Sequence, residues 1–435
     1  MAGEWTPINL GAVCSKIGSG ATPRGGSDVY LESGPFALIR SQNVYNDGFH
    51  HDGLAHIGEK HATELDGVEV LKDDVLLNIT GDSVARACQV DPRVLPARVN
   101  QHVAIIRPDS ERLDPRFLRY FLVSPEMQAK LLSWAGSGGT RNALTKGMIE
   151  SFDVPAPKDI EEQRAIAHIL GTLDDKIELN RRMNETLEAI TRALFKSWFV
   201  DFDPVRAKAE GRDPGPPQPL ADLFPGSFED SELGEIPRGW EVKSLDEIAR
   251  FLNGLALQKY PPTETRSLPV IKIAQLRTGN TQGADQASAD LDQDYVVADG
   301  DVLFSWSGSL ECVLWAGGRG ALNQHLFKVT STTYPKWLYY LWIHQHLAEF
   351  RHIAASKATT MGHIQRHHLS GAKAVIPGFD LLTAADRHFG PLIDSIPRLL
   401  VQSRHLGVVR DELLPKLVSG AVRIENPEAF LGRRA

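Results

Sequence analysis

A stretch of 39 residues from Glu161 to Phe199 contains no proline and a single glycine, and it constrains the fold more than any other part of the chain. A helix of that length spans about 58 Å at 1.5 Å per residue. Residues recur in it at alternating spacings of four and three, a heptad pattern that predicts a helix lying along a helical partner. The predicted seam consists of Ile166, Leu170, Leu173, Ile177, Asn180, Asn184, Leu187, Thr191, Leu194 and Trp198.

A matching heptad pattern runs from Phe389 to Leu417, so the helical partner is predicted within the same chain. Polar residues in both seams cost stability but specify one register. Pro391 and Pro397 are predicted to kink or interrupt the second helix. Periodicity alone leaves one alternative open, in which each helix is amphipathic and covers a separate globular core. The second seam consists of Phe389, Ile393, Ile396, Leu400, Ser403, Gly407, Arg410, Leu414 and Leu417.

Residues 1–157 and 240–377 read as two copies of one domain. Both copies open with a tryptophan and a strand-like run, and both carry Asn-Gln-His, at 100–102 and at 323–325. Their short β-branched runs, separated by Gly, Asn and Asp turns, predict a mixed α/β domain with a twisted sheet. The predicted fold class is therefore α+β, with two repeated domains separated by two long helices in an antiparallel coiled coil of pseudo-twofold symmetry.

The repeat and the helices divide the chain into five predicted parts. Residues 158–203 are a central helical spacer, and residues 378–435 are a distal helical spacer with a C-terminal tail. Residues 204–239 are rich in proline and acidic residues, so we predict an extended linker without helix. The two copies, 1–157 and 240–377, complete the division.

Composition is that of a globular protein. A hydrophobic fraction of 42% and a charged fraction of 23% exclude a disordered chain. No apolar run approaches the length of a membrane span and the first residues do not resemble a signal peptide, so a cytoplasmic location is expected. Three cysteines without CxxC spacing indicate neither a disulfide framework nor a cysteine zinc site. The net charge of −8 argues mildly against a nucleic-acid partner, although local faces decide binding.

The sequence contains none of the motifs that mark common enzymes. It has no GxxxxGK[ST] phosphate loop, no GxGxxG between a strand and a helix, no GxSxG and no HExxH. His363, His367 and His368 could place two imidazoles on one helical face, but no third metal ligand is evident nearby. No catalytic residue and no metal site is therefore predicted.

Each copy also has polar loops that contain arginine or lysine. In the first copy these are the glycine-rich loop at 18–26, the segment 40–43 and the segment 136–142. Such loops suit contacts to phosphates and bases, although flexible surface loops would look the same.

Several runs resemble the DNA-specificity (S) subunit of type I restriction-modification systems, and the resemblance covers nearly the whole chain. The runs are Glu162-Gln163-Arg164 with Ile166-Ala167, Leu173-Asp174, Phe195–Lys208 and Arg410–Gly420. In that family each repeated domain is a target-recognition domain that reads one half of a split site in double-stranded DNA, and the helices set the spacing. The resemblance implies that the chain is a non-catalytic adapter.

The resemblance also implies the partners. The S subunit docks two methyltransferase subunits and, with them, two ATP-dependent restriction subunits, and the assembly is a site-specific deoxyribonuclease and adenine methyltransferase. S-adenosylmethionine, ATP and magnesium belong to those partners, so no cofactor is expected on this chain. No membrane partner is expected either. The alternative is a DNA-specificity module of another restriction or phage-defence assembly, since missing catalytic motifs fit it equally.

Two non-identical readers make the recognised site asymmetric, so residues shared by both copies cannot distinguish its halves. Asn100-Gln101-His102 and Asn323-Gln324-His325 are therefore predicted to be structural or to contact the DNA backbone. Specificity is predicted where the copies diverge, with Arg141 and Arg277 as guanine readers because a guanidinium can bond O6 and N7 together. The predicted DNA-binding residues are Arg24, Arg40, Ser41, Gln42, Asn43, Thr140, Arg141, Asn142, Lys272, Gln275, Arg277, Lys357, Thr360 and His363. The residues predicted to form the coil and dock partners are Ile166, Leu170, Leu173, Ile177, Leu187, Leu194, Trp198, Phe199, Phe202, Arg410, Leu414 and Leu417.

Overall fold

The computed structural model describes residues 4–136, 142–263, 266–356 and 362–431. The chain divides into two compact units, Met1–Lys176 with Leu406–Ala435, and Ile177–His405. Each unit contains one of the two repeated domains together with part of each long helix.

The first domain is built on two four-stranded sheets and one two-stranded sheet. The opening and closing strands, Trp5–Asn9 and Asp153–Pro157, pair antiparallel. One four-stranded sheet is antiparallel, in the order Cys14–Ser19, Val103–Pro108, Val75–Asn78, Ala87–Gln89. The other is mixed, in the order Ala55–Ile57, Phe36–Ile39, Ala97–Val99, Glu69–Val70, with its two central strands parallel. A short hairpin joins Val44–Tyr45 to Gly48–Phe49, and the α-helices are Leu10–Val13, Glu59–Glu64, Pro115–Val123, Pro125–Gly136 and Lys146–Glu150.

The second domain repeats the two four-stranded sheets and the pair of opening and closing strands, but not the short hairpin, among its described residues. Its opening and closing strands are Glu241–Ser244 and Lys373–Ile376. The antiparallel sheet has the order Arg250–Asn253, Leu326–Thr330, Val302–Ser305, Cys312–Leu314. The mixed sheet has the order Gln286–Ser288, Ser267–Ile271, Gly320–Leu322, Val296–Val297, again with parallel central strands. Its α-helices are Leu245–Ile248, Ile273–Thr278, Lys336–Ser356 and Arg366–Gly371. The predicted internal repeat and the α+β class are confirmed.

The first long helix, the central helix, runs from Ile160 to Phe195 and continues as a π-helical turn, Lys196–Val200. Glu161 and Glu162 lie in its first turn, where carboxylates are favoured by the helix dipole. The helical structure ends before Phe202, whose φ of 59° is left-handed. The helix predicted from the heptad pattern is therefore present over almost the whole predicted stretch.

The second long helix, the distal helix, runs from Phe379 to Val418 without a break in its assignment. The predicted interruption at Pro391 and Pro397 is therefore wrong. Each proline removes one backbone donor, but Phe389 and Ile393 are buried in the core beside them and stabilise the helical backbone. Leu400, predicted in the seam, is 40% exposed.

Within the unit Ile177–His405 the two helices pair in opposite directions. Asn180 donates from its side-chain amide to Gln402 Oε1 at 2.9 Å and to Ser403 Oγ at 3.2 Å. Further along the chain, the Trp198 ring lies 5.4 Å from that of Phe389. Later residues of the central helix therefore contact earlier residues of the distal helix, so the two helices are antiparallel, as predicted.

The polar seam residue Asn184 lacks the bonds that Asn180 makes. It is 7% exposed, and neither its amide nitrogen nor its amide oxygen has a hydrogen-bond partner among the described residues. Leaving a buried polar group unpaired costs about 1–3 kcal/mol. We therefore expect Asn184→Leu to raise the free energy of unfolding by about 1 kcal/mol, and Asn180→Leu to lower it because Gln402 and Ser403 lose their donor. Urea denaturation of both variants checks this, and equal effects would contradict it.

The segment predicted as an extended linker is folded instead. It forms a helix, Asp203–Ala209, and a hairpin of Phe228–Ser231 with Gly234–Pro237. Pro204 causes no conflict because it occupies the first turn of its helix, where a backbone donor is not needed. Lys208 Nζ donates to three backbone carbonyls, of Ala221, Asp222 and Phe224, so the following turn is tied to the helix.

The end of the chain packs on the first domain. Arg423 donates to both carboxylate oxygens of Glu162 at 2.8 and 3.0 Å, and Glu162 is 2% exposed. The guanidinium also lies 5.7 Å from the centre of the Trp5 ring. This buried ion pair joins the central helix to the segment after the distal helix within one unit.

Candidate nucleic-acid interface

The Asn-Gln-His turn of the first domain lies where its two four-stranded sheets meet. Asn100 is 5% exposed, and its side-chain oxygen accepts from the backbone N–H of His102 at 3.0 Å. The imidazole Nδ1 of His102 lies 2.5 Å from the Thr80 hydroxyl, and its Nε2 lies 2.9 Å from Gln101 Nε2. The asparagine thus shapes the turn, and the histidine links the glutamine to a hydroxyl on the neighbouring strand end.

The second domain has the same arrangement. Asn323 is 6% exposed and accepts from the backbone N–H of His325 at 3.2 Å. His325 Nδ1 lies 3.1 Å from the Ser307 hydroxyl, and its Nε2 lies 3.4 Å from Gln324 Nε2. The structural role predicted for the shared asparagine agrees with this geometry.

Divergent loops surround the turn in the first domain. Thr22, in the glycine-rich loop, donates to Gln101 Oε1 at 2.7 Å. The backbone carbonyl of Ser41 accepts from Asn78 at 2.9 Å, and the carbonyl of Asn142 accepts from Gly81 N–H at 3.2 Å. Thr22, Ser41 and Asn142, which belong to three segments that the sequence singled out separately, are thus each bonded to the turn, to the end of the neighbouring strand or to the residues that follow it.

The predicted readers in this domain differ in what their side chains can reach. Arg24 is exposed. Arg40 donates to the Gly53 carbonyl at 2.6 Å, and Gln42 donates to the same carbonyl at 3.0 Å. Asn43 is fully buried, and its amide bonds the carbonyls of His50 and Asp52 and the backbone N–H of Arg40. The side chain of Asn43 therefore holds the loop and is not presented at the surface.

The second domain replaces the first domain's hairpin loop by the short helix Ile273–Thr278. Lys272 pairs with Asp285, and Gln275 Oε1 accepts from the Lys272 backbone N–H at 3.2 Å. Arg277 lies exposed in the last turn, and no described residue pairs with it. Arg277, one of the two predicted guanine readers, therefore has an exposed guanidinium without a partner among the described residues.

His363 lies beside the turn of the second domain. It bridges to Ser307 through the backbone, and its ring lies 6.3 Å from that of Trp306. The corresponding bridge in the first domain joins Thr80 to Ala143, so His363 matches Ala143 in position. Thr140, Arg141, Lys357 and Thr360 lie outside the described residues.

The predicted coil residues are largely buried within their own units. Ile166, Leu170, Leu414 and Leu417 belong to the core that includes the first domain. Trp198, Phe199 and Phe202 belong to the core that includes the second domain, together with Trp240 and Phe389. Leu173, Ile177, Leu187, Leu194 and Arg410 are half-buried. These side chains hold the helices against the domains.

Asp174 joins both helices to the first domain, a role that the sequence did not reveal. Its carboxylate accepts from Arg119 and Arg410 at 2.8 Å each and from the Tyr120 hydroxyl at 2.7 Å. Burial raises the pKa of Asp174, but the two guanidinium charges and the hydroxyl hydrogen bond outweigh it and hold that pKa below its ordinary value. The sequence signals at this junction were the Leu173-Asp174 run and the seam residue Arg410, but neither showed that the two pair.

Neither a metal-ligating cluster nor a membrane-spanning helix occurs in the part of the chain that the structure describes. Among the described residues, no group of three or more His, Cys, Asp or Glu side chains could hold a metal ion. The His367 and His368 rings lie 3.9 Å apart. Within the same part of the chain, no helix is long and apolar enough to cross a membrane.

Comparisons with known proteins agree with this architecture. The sequence matches the family described as "Type I restriction modification DNA specificity domain" over residues 2–189 and 237–378. It is 24% identical to the type I restriction enzyme HindI specificity subunit of Haemophilus influenzae, over 88% of this chain and 94% of that protein. It is 27% identical to the MjaIX specificity subunit of Methanocaldococcus jannaschii, over 70% of this chain and 69% of that protein. The crystal structure of the type I system S subunit from M. genitalium superposes with a TM-score of 0.60 at 13% identity, over 95% of this chain and 96% of that one.

Proposed function

Because the chain belongs to the type I restriction-modification DNA specificity family, it is a non-catalytic specificity subunit that recognises a DNA sequence, and we propose how its parts divide that work. Each domain reads one half of a bipartite, asymmetric site in double-stranded DNA. The observation that carries this proposal is the repeated pair of domains, alike in sheet order but different in the loops around the shared turn.

The readers are the divergent loops. In the first domain we assign this role to Arg24, Arg40, Ser41 and Gln42 with the neighbouring segment that ends at Asn142. In the second domain we assign it to Lys272, Gln275, Arg277 and His363. Base contacts need side chains that are free to approach a groove edge, and the exposed guanidinium of Arg277 meets that requirement best.

Members of this family assemble with methyltransferase and restriction subunits, and we propose two copies of each here. The docking surface includes an apolar stripe on the central helix within the unit Ile177–His405. Leu179, Met183 and Ile190 are 50%, 42% and 46% exposed, and their spacings of four and seven place them on one helical face. Exposed apolar stripes of this kind mark protein interaction sites.

We assign S-adenosylmethionine, ATP and magnesium to the partner subunits and no cofactor to this chain. We also propose that the protein is located in the cytoplasm.

Exchange of one domain tests whether each domain recognises its own half of the DNA site. Replacing residues 240–377 by the matching domain of a relative is expected to change one half of the recognised sequence and leave the other half intact, because each domain has its own core and its own loops. Mapping of methylated adenines in cells that express the exchanged chain with its methyltransferase subunits measures this. Replacing residues 1–157 instead is the matched control and should change the other half. A change in both halves would show that the domains do not read independently.

A further inference from the structure

The two glutamines of the Asn-Gln-His turns occupy equivalent positions, half-buried and anchored by a histidine. We propose that the side-chain amides of Gln101 and Gln324 each donate a hydrogen bond to the sugar-phosphate backbone of DNA. This proposal rests on the proposed function of the two domains and assigns them a common contact that carries no sequence information.

The histidine sets the direction of each amide. In the first domain, His102 Nε2 faces the amide nitrogen of Gln101 at 2.9 Å, so the ring nitrogen accepts and the ring proton resides on Nδ1. That proton points to the Thr80 hydroxyl 2.5 Å away. Thr22 donates to Gln101 Oε1 at 2.7 Å in the same amide orientation. One of the two amide N–H groups is thereby used, and the other remains available as a donor.

In the second domain a histidine also contacts the glutamine amide, but the surrounding residues differ. His325 links Gln324 to the Ser307 hydroxyl through the same two ring nitrogens. The backbone of Gln324 is fully engaged, because its N–H donates to Leu255 at 2.9 Å and its carbonyl accepts from Trp306 Nε1 at 3.1 Å. The side-chain amide of Gln324 is therefore the donor of this residue that is left to bind a ligand.

A glycine packs closely against the backbone of each turn. A Cβ at Gly20 would come within 1.7 Å of the Val99 carbonyl oxygen, and one at Gly254 within 2.3 Å of the Asn323 carbonyl oxygen. No larger residue fits at either position without moving the turn. The amides are therefore pre-positioned, which lowers the entropy lost when they bind.

The chemistry of the ligand follows from the repetition. A side chain that is identical in two readers of different half-sites cannot tell those halves apart, whereas a phosphate oxygen is present at every nucleotide. Neutral amides are common donors to phosphate oxygens and fix the register of a protein on the duplex. The segments in which the two domains diverge, such as the helix Ile273–Thr278 with Arg277, are then left to read bases.

Gln101→Met and Gln324→Met test the proposal, because methionine keeps the length and removes the donor. The chain is assembled with its methyltransferase subunits and titrated against the cognate duplex and duplexes with single substitutions in each half-site. Each variant is expected to bind all duplexes about tenfold more weakly, the loss of one hydrogen bond to a charged group. The salt dependence should stay unchanged, because a neutral amide displaces no counterion. Gln101→Glu should bind more weakly still, because its carboxylate would face a phosphate.

Three results would overturn the inference. They are an unchanged affinity, a loss confined to one base pair, and equal losses for the Met and Glu variants accompanied by a lower unfolding midpoint, which would mean that the amide only stabilises the turn. The unaltered assembly separates this outcome from failure of the proposed function. If that assembly discriminates cognate from substituted duplexes, the proposed function stands whatever the variants do.

Discussion

Asp174→Ala is expected to lower the stability of the unit that contains the first domain by about 3–5 kcal/mol. The change removes the carboxylate shared by Arg119 and Arg410, whose side chains are 7% and 21% exposed. Arg119 would then be left largely out of water without a carboxylate partner, and Arg410 would keep only its pair with the exposed Asp411. Hydrogen exchange of peptides from residues 4–136 and 142–176 measures the effect in this unit separately from the other.

Asp175→Ala is the matched control. Asp175 is the next residue and also pairs with an arginine, Arg116 at 2.6 Å, but its side chain is 67% exposed. Exposed ion pairs contribute about 0–1 kcal/mol, so this variant should exchange almost as slowly as the unaltered chain. Similar effects for the two variants would show that burial of the Asp174 junction is not what matters.

The same junction predicts a dependence on pH. The pKa of Asp174 is lower in the folded chain than in the unfolded one. The contribution of the ionised carboxylate to the free energy of unfolding is therefore fully present above the pKa of about 4 that it has in the unfolded chain. This stabilisation is lost as the pH falls through the lower pKa that Asp174 has in the folded chain. The difference in stability between the unaltered chain and Asp174→Ala should therefore be constant from pH 5 to 7 and shrink below about pH 4. A difference that grew on acidification would contradict this sign.

The long helices and the repeat could be predicted because each leaves a periodic signal in the sequence. Heptad spacing predicts a helix whatever its partner, and the structure confirms it from Ile160 to Phe195. The repeat predicted equivalent strands because the same residue patterns recur at 1–157 and 240–377, although no pattern gave the strand order. Asn-Gln-His could be identified as shared, but only the structure shows its histidine facing a hydroxyl.

The errors come from contacts between residues distant in sequence. The proline-rich segment was predicted as extended, but Phe224 and Ile236 are buried in the core of its unit and hold it folded. Pro397 was predicted to kink or interrupt the distal helix, and the interruption does not occur because packing of neighbouring Ile393 and Ile396 outweighs the local preference. Asn43 looked like an available polar reader, and its burial depends on a loop that closes over it. None of these contacts has a local sequence signature.

A chain with one extra heptad in each long helix is expected to recognise the same half-sites with a longer spacer between them. The insertions belong between Asp174 and Asn180 on the central helix and between Gln402 and Arg410 on the distal helix. At these places the Asp174–Arg410 pair stays intact in one unit and the Asn180–Gln402 pair in the other. Seven residues return the same helical face to the partner, so both seams keep their register.

The added length can be converted to base pairs. Seven residues lengthen a helix by about 10 Å at 1.5 Å per residue, and duplex DNA rises about 3.4 Å per base pair. The spacer should therefore grow by roughly three base pairs. Three pairs also rotate one half-site by roughly 100° at about 10.5 pairs per turn, so binding should weaken unless the DNA twists or bends to compensate.

Methylation mapping of the lengthened chain, assembled with its methyltransferase subunits, measures spacer and half-sites together. An insertion of five residues in each helix, which rotates the seam beyond it by about 140° at 3.6 residues per turn, is the control and should abolish specific methylation. If the heptad variant kept the original spacer, or methylated new half-sites at the old spacing, the helices would not set the distance. A longer spacer with unchanged half-sites would show that spacing and base reading are determined by separate parts of one chain, because the insertions leave Arg277 and both Asn-Gln-His turns untouched.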